Sequence, residues 1–145
     1  MKVTAEDEAA FLAKFPGMRW VPSSPGRLTF EGLFAFRAEL AGFPEVVDEY
    51  PLRIFVDTIG DHLPLVGETS GRIPRSLDHH VYKDGGFCLG SPLYLRFLLG
   101  RCPNLLQFVD RCVVPFLYAA SLREKGGPRY PVGELAHYAE GLLPE

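Results

Sequence analysis

Residues able to do chemistry are concentrated in one segment, Asp78 to Cys88, which holds two adjacent histidines, a glycine pair and a cysteine. The cysteine, Cys88, follows Asp84-Gly85-Gly86, and this sequence predicts a turn because glycine enters the left-handed backbone region freely. Just beyond the cysteine, Ser91 can cap and Pro92 can open a short helix. The pattern therefore predicts a thiol between a turn and a helix start, where it is better placed to react than in mid-strand.

The run around this cysteine resembles the active-site segment of ubiquitin-conjugating enzymes. It reads Val81-Tyr82-Lys83-Asp84-Gly85-Gly86-Phe87-Cys88-Leu89. In that family a His-Pro-Asn triplet precedes an aliphatic residue, and a glycine lies three residues before the thioester-forming cysteine, which leucine follows. Aligned on Cys88, the triplet falls on Asp78-His79-His80, so this chain lacks the proline and the asparagine. The chain looks most like the bacterial branch, in which histidine can replace the asparagine. The resemblance extends more weakly over Leu33 to Pro92 and to a segment from Gly133 to His137.

A two-step acyl relay is what the resemblance implies. Cys88 would take a ubiquitin-like modifier from an activating enzyme as a thioester and pass it to an acceptor protein, with no cofactor. The acceptor group, whether lysine, hydroxyl or thiol, and the need for a ligase stay open. His80 occupies the place of the asparagine, so its ring is the candidate donor to the oxyanion. An imidazole there can instead order the loop by bonding backbone carbonyls, and both interpretations stay open. The bacterial likeness further implies an operon-encoded pathway, used in antiviral defence.

For the other polar residues near the cysteine, the sequence gives weaker support for a role in function. His79 replaces the proline of the triplet, and Asp78 can either fix an imidazole tautomer or be a solvated turn residue. Arg72 and Arg75 flank the segment, where they can steer an acidic partner tail or simply keep a loop soluble. His137 is far away in sequence, so only the fold could bring it to the site.

Two rival functions use the same residues or none of them. A cysteine hydrolase would use Cys88 as nucleophile and His80 or His137 as base, since a thiol and an imidazole are the minimal pairing for acyl chemistry. A module that binds a ubiquitin-like protein without chemistry would need neither. A hydrolase predicts turnover of a small thioester or peptide without an activating enzyme, and a conjugating enzyme predicts a stable thioester adduct that dithiothreitol removes. A binding module predicts that Cys88→Ala leaves every phenotype intact.

The remaining cysteines are predicted to be structural. Cys112 lies on the apolar face of a helical pattern, which indicates the core. Cys102 has no such pattern and is also interpreted as structural. A zinc site from His79, His80, Cys88 and Cys102 matches no CxxC-type spacing, so no metal is predicted.

Composition limits the function classes. The 145 residues predict one domain, 1–145, and the net charge of -3 argues against nucleic-acid binding, which needs concentrated Lys and Arg. The first fourteen residues are acidic and unlike a targeting signal, and we find no apolar run long enough to span a bilayer. The expected compartment is therefore the cytoplasm, where the three cysteines, which cannot all pair, are expected to be free thiols, and no membrane partner is predicted.

The elements that must position the cysteine fit an α+β plan. Thr4 can cap a helix from Ala5 to Phe15, which in ubiquitin-conjugating enzymes lies on the sheet and helps to receive the activating enzyme. Apolar alternation predicts strands at Leu28 to Ala38, Tyr50 to Asp57 and Pro64 to Glu68, joined as an antiparallel meander. Within the first of these strands Glu31-Gly32 predicts a bend, a bulge or a junction between two strands, and residues 42–49 are predicted to be loop.

After Pro92, apolar residues again recur at the spacing of a helix. A short helix is predicted from Ser91 to Leu99, stopped by Gly100, and Asn104 can cap a longer one that Pro115 kinks or splits. Gly126-Gly127 would end that helix, and a last short helix is predicted near residues 132–142. Helices at both ends of a meander sheet are also the plan of the ubiquitin-conjugating fold, which the resemblance implies for the whole domain.

Overall fold

The computed structural model describes residues 1–60, 64–90, 92–101 and 104–127. Its four strands form one antiparallel sheet in the order β1-β2-β3-β4, preceded by one helix and followed by others. The elements are α1 (Ala5–Lys14), β1 (Met18–Val21), β2 (Arg27–Ala38), β3 (Val46–Asp57), β4 (Leu65–Glu68), a 3-10 helix (Leu77–His79), α2 (Pro92–Arg101), α3 (Leu105–Phe108), a π-helical segment (Val109–Val113) and α4 (Val114–Glu124). The predicted α+β class and the meander are confirmed.

A reciprocal capping box starts α1. The Thr4 hydroxyl accepts from the Asp7 backbone N–H at 3.0 Å, and the Asp7 carboxylate accepts from the Thr4 N–H at 2.9 Å. The helix buries Phe11 against Phe30 of β2, with ring centroids 5.0 Å apart. It ends at Lys14, one residue before the predicted end. Packing on the sheet thus supports the helix that the cap begins.

Strand β1 is a fourth strand that the sequence pattern does not predict. It pairs with β2 so that Met18 lies opposite Gly32. Of its four residues only Met18 is buried, so the sequence shows no alternation of buried and exposed residues from which a strand could be predicted. The segment is a strand because its backbone pairs with the long β2 strand.

The predicted bulge or junction at Glu31-Gly32 is wrong, because β2 pairs with β3 residue for residue from Arg27 to Ala38. Gly32 has a different purpose. Its φ is +142°, and a Cβ there would lie 2.1 Å from the carbonyl oxygen of Gly17. The glycine therefore lets the chain entering β1 pass close to β2.

Strand β3 begins earlier than the alternation predicts. Residues Val46 to Glu49, expected in a loop, pair with Ala38 to Ala35 of β2. A long neighbouring strand supplies partners for their backbone groups, which the local pattern alone does not reveal. β4 forms at Leu65–Glu68, within the predicted range.

One continuous helix, Leu105–Glu124, crosses the core side of the sheet. Asn104 caps it as predicted, its side chain accepting from the Gln107 N–H at 2.9 Å. The hydrogen bonding shifts to a π pattern over Val109–Val113, directly before Pro115. The predicted interruption by the proline therefore takes the form of a π-bulge within one helix. Cys112 is buried on this segment, which confirms its core position.

The end of this helix is a Schellman motif. Gly126 has φ +84°, its N–H bonds the Arg123 carbonyl at 3.0 Å, and the Gly127 N–H bonds the Leu122 carbonyl at 2.8 Å. An 18-residue window of this 20-residue helix has a mean hydropathy of 1.4, enough by length and composition to cross a membrane, although no such run is predicted above. This is weak evidence for a membrane span, because buried core helices share the same composition.

Helix α2 runs through Gly100 to Arg101, so the predicted stop at that glycine is wrong. Its predicted cap, Ser91, lies outside the described residues, as do Cys102, His137 and the helix predicted near 132–142.

Candidate functional site

The turn predicted before the cysteine is present and is tightly bonded. Val81 and Phe87 face each other as a short antiparallel bridge. Between them the Tyr82 N–H bonds the Gly86 carbonyl at 2.8 Å, the Gly85 N–H bonds the Tyr82 carbonyl at 2.9 Å, and the Asp84 carboxylate accepts from the Gly86 N–H at 2.8 Å. Gly85 has φ +92°, so the turn uses the glycine conformation that the sequence indicates.

This hairpin is attached to the edge of the sheet. The Phe87 N–H donates to the Val66 carbonyl at 2.8 Å, and the Glu68 N–H donates to the Gly85 carbonyl at 3.1 Å. The ring of Phe87 stacks on Phe116 of α4, with centroids 4.2 Å apart. The segment carrying the cysteine is therefore tied both to β4 and to the core helix.

Cys88 lies directly after the hairpin and is partly exposed. Its neighbours Phe87 and Leu89 are both buried, so the chain alternates inward, outward and inward as a strand would. The Cys88 N–H donates to the His80 carbonyl at 2.8 Å. The backbone of the cysteine is thus fixed while its side chain faces outward.

The interaction with the neighbouring Cys88 side chain raises the pKa of Tyr82 above its ordinary value, and burial and the Asp84 carboxylate act in the same direction. Sequence reasoning missed this residue. The sequence does give one indication: Tyr82 comes just before the turn and Cys88 just after it, so a long side chain with a polar tip can reach across to the cysteine.

The histidine pair ends a short 3-10 helix. Ser76 caps it by accepting from the His79 N–H at 3.3 Å, and His80 ends it in the left-handed conformation, with φ 58° and ψ 37°. The His80 N–H bonds the Leu77 carbonyl at 3.0 Å. His80 therefore helps to order the loop through its backbone, and the oxyanion role of its ring stays a prediction.

His79 is held by its ring as well as by its backbone. Its Nδ1 lies 2.9 Å from the Ser76 hydroxyl. Burial, and then the positive charge of Arg123, lower the pKa of His79. The imidazole therefore favours its neutral form at physiological pH.

The structure places an arginine of α4 on Asp78. Arg123 donates to the Asp78 carboxylate at 2.6 Å and to its backbone carbonyl at 3.0 Å. Asp78 is thus held by an ion pair while its side chain stays 45% exposed, and its effect on a histidine tautomer stays a prediction. Arg123 was not found from the sequence, because nothing local links two residues 45 positions apart.

Arg72 is a structural crosslink within the domain. It makes two hydrogen bonds to the Asp48 carboxylate, two to the Glu124 carboxylate and one to the Glu49 carbonyl, at 2.7 to 3.0 Å. Its guanidinium also lies 4.2 Å from the centre of the Tyr50 ring. Hydrogen bonds from Arg72 lower the pKa of Glu124, and the two carboxylates in turn raise the pKa of Arg72. These contacts account for Arg72 inside the fold, and its role toward a partner stays a prediction.

Arg75 lies nearer the cysteine. Its Nη1 donates to the Lys83 carbonyl at 3.4 Å, which places the side chain along the hairpin. The side chain is mostly exposed, so contact with a partner stays a prediction for this residue too.

A buried carboxylate supports the loop that leads to the site. Glu68 is only 2% exposed, and its carboxylate accepts from the backbone N–H and the hydroxyl of Ser70 and, at 3.1 Å, from the backbone N–H of Ile73. Because the backbone of Glu68 also bonds Gly85, one residue holds both the incoming loop and the hairpin. The sequence offers no signal for this role beyond an acidic residue in a short strand.

A groove of about 920 Å³ runs along β4 beside the hairpin. Its walls include Tyr82, Asp84 and Gly86 of the turn, and also Phe87 and Leu89, which flank the cysteine. Basic and acidic side chains both line it, namely Arg27, Arg53, Arg75, Asp57, Asp84 and Glu68. Cys88 itself is not one of the residues that line this groove.

Among the described residues, no group of three or more His, Cys, Asp or Glu side chains could hold a metal ion. The predicted candidates Cys102 and His137 lie outside these ranges, so their places relative to Cys88 are not described. No protein-family model matches the chain, and neither the curated proteins nor the solved structures contain a match.

Proposed function

We propose that this domain is a ubiquitin-conjugating-like enzyme in which Cys88 carries a ubiquitin-like modifier as a thioester. The observation that carries the proposal is the setting of the sulfur. Cys88 is partly exposed, and it lies directly after a hairpin whose backbone hydrogen bonds fix its place in the fold. A cysteine that only filled space would be buried, as Cys112 is.

The architecture supports the same proposal. An N-terminal helix, a four-stranded meander and helices after the sheet agree with the plan that the active-site resemblance implies. In that plan the cysteine follows the last strand of the meander, and Cys88 follows β4. The finer assignment to the ubiquitin-conjugating fold is part of the proposal, and so is an operon-encoded bacterial pathway with an adenylating enzyme and a β-grasp modifier.

The chemistry proceeds in two balanced steps. The Cys88 thiolate attacks the carbonyl carbon of the activating enzyme's thioester, and collapse of the tetrahedral intermediate expels the other enzyme's thiolate. An acceptor nucleophile then attacks the new thioester, loses its proton to solvent, and expels Cys88 as a thiolate. Each step forms an oxyanion, for which the His80 ring is the proposed donor; loss of such a donor costs about 3 kcal/mol in other acyl-transfer enzymes.

A chemical donor tests the proposal without knowledge of the natural modifier. The purified protein is mixed with ubiquitin carrying a mercaptoethanesulfonate thioester at its C-terminus, and intact mass is followed. The expected product is a one-to-one adduct on Cys88 that dithiothreitol removes. Cys88→Ala should give no adduct, and Cys88→Ser should give at most a slowly formed oxyester that dithiothreitol leaves in place.

The same experiment separates the rival functions. A hydrolase would release free ubiquitin with many turnovers per enzyme molecule and would accumulate little adduct. A binding module would leave the donor unreacted in both the wild type and Cys88→Ala. Either result would overturn the conjugating function.

A further inference from the structure

A recess of about 290 Å³ lies on the outer face of the sheet, away from the core. Side chains alternate between the two faces of a strand, and Ile54 and Val56 of β3 are buried in the core, so Arg53 and Phe55 point outward. The recess is lined by two arginines, three hydroxyl residues and one aromatic ring, among others: Arg27, Arg53, Ser23, Ser24, Thr29 and Phe55. Small-molecule sites start at about 300 Å³, so this volume fits a small ligand.

Thr29 supplies the observation that points to a ligand. It lies on the outer face between Val21 of β1 and Phe55 of β3, yet it is only 5% exposed. Its hydroxyl is buried and has no hydrogen-bond partner among the described residues. Buried hydroxyl groups in proteins nearly always have a partner, and one without a partner lowers stability. A polar ligand in the recess would supply the missing partner.

Arg27 brings a positive charge that no described carboxylate neutralises. Its guanidinium lies over the ring of Phe55, 5.3 Å from the ring centre, and it forms no ion pair with a described residue. Its cross-strand neighbour Asp57 accepts from the backbone N–H groups of residues 59 and 60, at 2.9 and 3.1 Å. The guanidinium is therefore available to an anion that enters the recess.

The carboxylate of Glu31 does not cancel this charge. Glu31 is the one acidic residue among those that line the recess, and it accepts from Arg19 at 2.9 Å and from Arg53 at 3.0 Å. Two guanidinium groups thus already share this single carboxylate. The recess keeps an excess of positive charge, so its ligand should be an anion.

The backbone that walls the recess is held in place by hydrogen bonds. The Ser23 hydroxyl donates to the Arg27 carbonyl at 2.6 Å, and the Arg27 N–H donates to the Ser24 carbonyl at 3.1 Å. The Thr58 N–H donates to the Gly26 carbonyl at 2.8 Å. The wall is therefore formed before any ligand arrives, and binding needs little ordering of the backbone.

We propose that this recess binds a small molecule that carries a phosphate group. The Arg27 guanidinium and the Thr29 hydroxyl donate to the phosphate oxygens, and hydrogen bonds to a charged acceptor are the strong ones. The exposed side chains of Arg27 and Arg53 can move aside as the ligand reaches the hydroxyl between the strands. Phosphate fits donors on different walls, since its oxygens point in tetrahedral directions, whereas those of a carboxylate share one plane.

A titration of the isotope-labelled protein, followed by amide NMR at constant ionic strength, tests the proposal. The probes are inorganic phosphate, glycerol 3-phosphate and acetate. The amide signals of residues 22–31 and 53–57 should shift to saturation with phosphate, and acetate should bind at least about tenfold more weakly. Equal affinity for the two phosphates would identify free phosphate as sufficient, whereas tighter binding of the ester would mean that the recess also contacts its organic part.

Two arginine variants test the charge. Arg27→Gln should weaken binding of phosphate at least about tenfold, because it removes the guanidinium that donates to the ligand. Arg37→Gln is the matched control. Arg37 lies on the same face of β2 and bonds Glu45 at 2.6 Å, but at about 3.3 Å per residue it is about 30 Å from Arg27. Its affinity for phosphate should equal that of the wild type.

Two threonine variants test the hydroxyl. Thr29→Ser keeps it and should bind phosphate nearly as well as the wild type. Thr29→Val keeps the branched shape without the hydroxyl and should bind at least about fivefold more weakly. Without ligand, Thr29→Val should melt at or above the wild-type temperature, because it removes a buried polar group that has no partner. A hydroxyl with only a structural role would give the opposite result, a lower melting temperature with unchanged affinity.

The proposal is overturned if phosphate produces no saturating shifts near the recess, or if acetate binds as tightly. It is also overturned if Arg37→Gln weakens binding as much as Arg27→Gln, or if Thr29→Val keeps the wild-type affinity. Cys88→Ala should bind phosphate as the wild type does, because the recess does not use the cysteine. Failure of this proposal therefore leaves the conjugating function untouched, and failure of the thioester experiment leaves this proposal untouched.

Discussion

The backbone amide of Cys88 donates a 2.8 Å hydrogen bond to the carbonyl oxygen of His80, which has left-handed backbone angles. This bond joins the cysteine to the second residue of the histidine pair. Two functions of His80 can therefore be separated: its backbone conformation, which positions the cysteine, and its ring, the proposed oxyanion donor.

Substitutions that tolerate the left-handed conformation separate these functions. His80→Gly and His80→Asn both accept φ 58° with little strain, but only asparagine keeps a side-chain donor. Both variants should melt close to the wild type. Discharge of thioester-bound ubiquitin to free lysine should fall about 100-fold in His80→Gly and much less in His80→Asn. Equal discharge rates in all three proteins would leave the ring with no oxyanion role.

Glu68 should be among the most costly residues to replace. Its buried carboxylate satisfies two backbone N–H groups and a hydroxyl of the loop that follows β4, so Glu68→Ala should lower the free energy of unfolding by about 3 kcal/mol. Urea denaturation measures this loss. Glu39→Ala, which removes an exposed carboxylate, is the control and should change stability by less than about 0.5 kcal/mol. Similar values for the two variants would contradict the assigned role of Glu68.

Two glycines with positive φ test the hairpin. Gly42 and Gly85 have φ of +85° and +92°, but a Cβ on Gly42 would meet nothing within 4 Å, whereas one on Gly85 would lie 2.7 Å from the Glu68 carbonyl oxygen. Gly42→Ala should therefore cost only the conformational penalty, about 1 kcal/mol. Gly85→Ala should cost about 2 to 3 kcal/mol and also change the alkylation rate of Cys88, because the turn must move. If alkylation is unchanged in Gly85→Ala, the hairpin does not set the position of the thiol.

Protonation of Asp48 should lower the stability of the folded protein in acid. Burial would raise the pKa of Asp48, but hydrogen bonds from Arg72, Ser121, Lys125 and the Glu49 backbone lower it well below its ordinary value of 3.8. A carboxyl with a lowered pKa in the folded state contributes stability that is present above its ordinary pKa and is lost as pH falls. The free energy of unfolding should therefore fall from about pH 5 downward, and the fall should be shallower in Asp48→Asn. Parallel pH profiles for the two proteins would argue against this source of acid sensitivity.

Local chemistry made several features predictable from the sequence. The Thr4 capping box, the Asn104 cap and the turn at residues 84–86 each depend on side chains and backbone groups within a few positions of one another. Pro115 likewise has a local effect, since a missing N–H must alter the helix around it. The position of Cys88 directly after a turn follows from the same kind of reasoning.

Long-range contacts were not predictable in this way. Arg123 reaches Asp78 across 45 positions, and Arg72 reaches Glu124 across 52. β1 and the first residues of β3 become strands because β2 is long enough to pair with both. Tyr82 is visible in the sequence near the cysteine, but only the fold shows that the Cys88 side chain is close enough to raise the pKa of Tyr82.

The inward packing of Phe87 and Leu89 on either side of Cys88 has a practical consequence. The outward thiol can be labelled while the domain stays folded, whereas Cys112, which is 4% exposed, becomes accessible only when the core opens. One sample treated with a single reagent therefore reports two rates, the reactivity of the site and the frequency of unfolding. In every variant described above that keeps both cysteines, these two rates distinguish an altered site from a loosened fold.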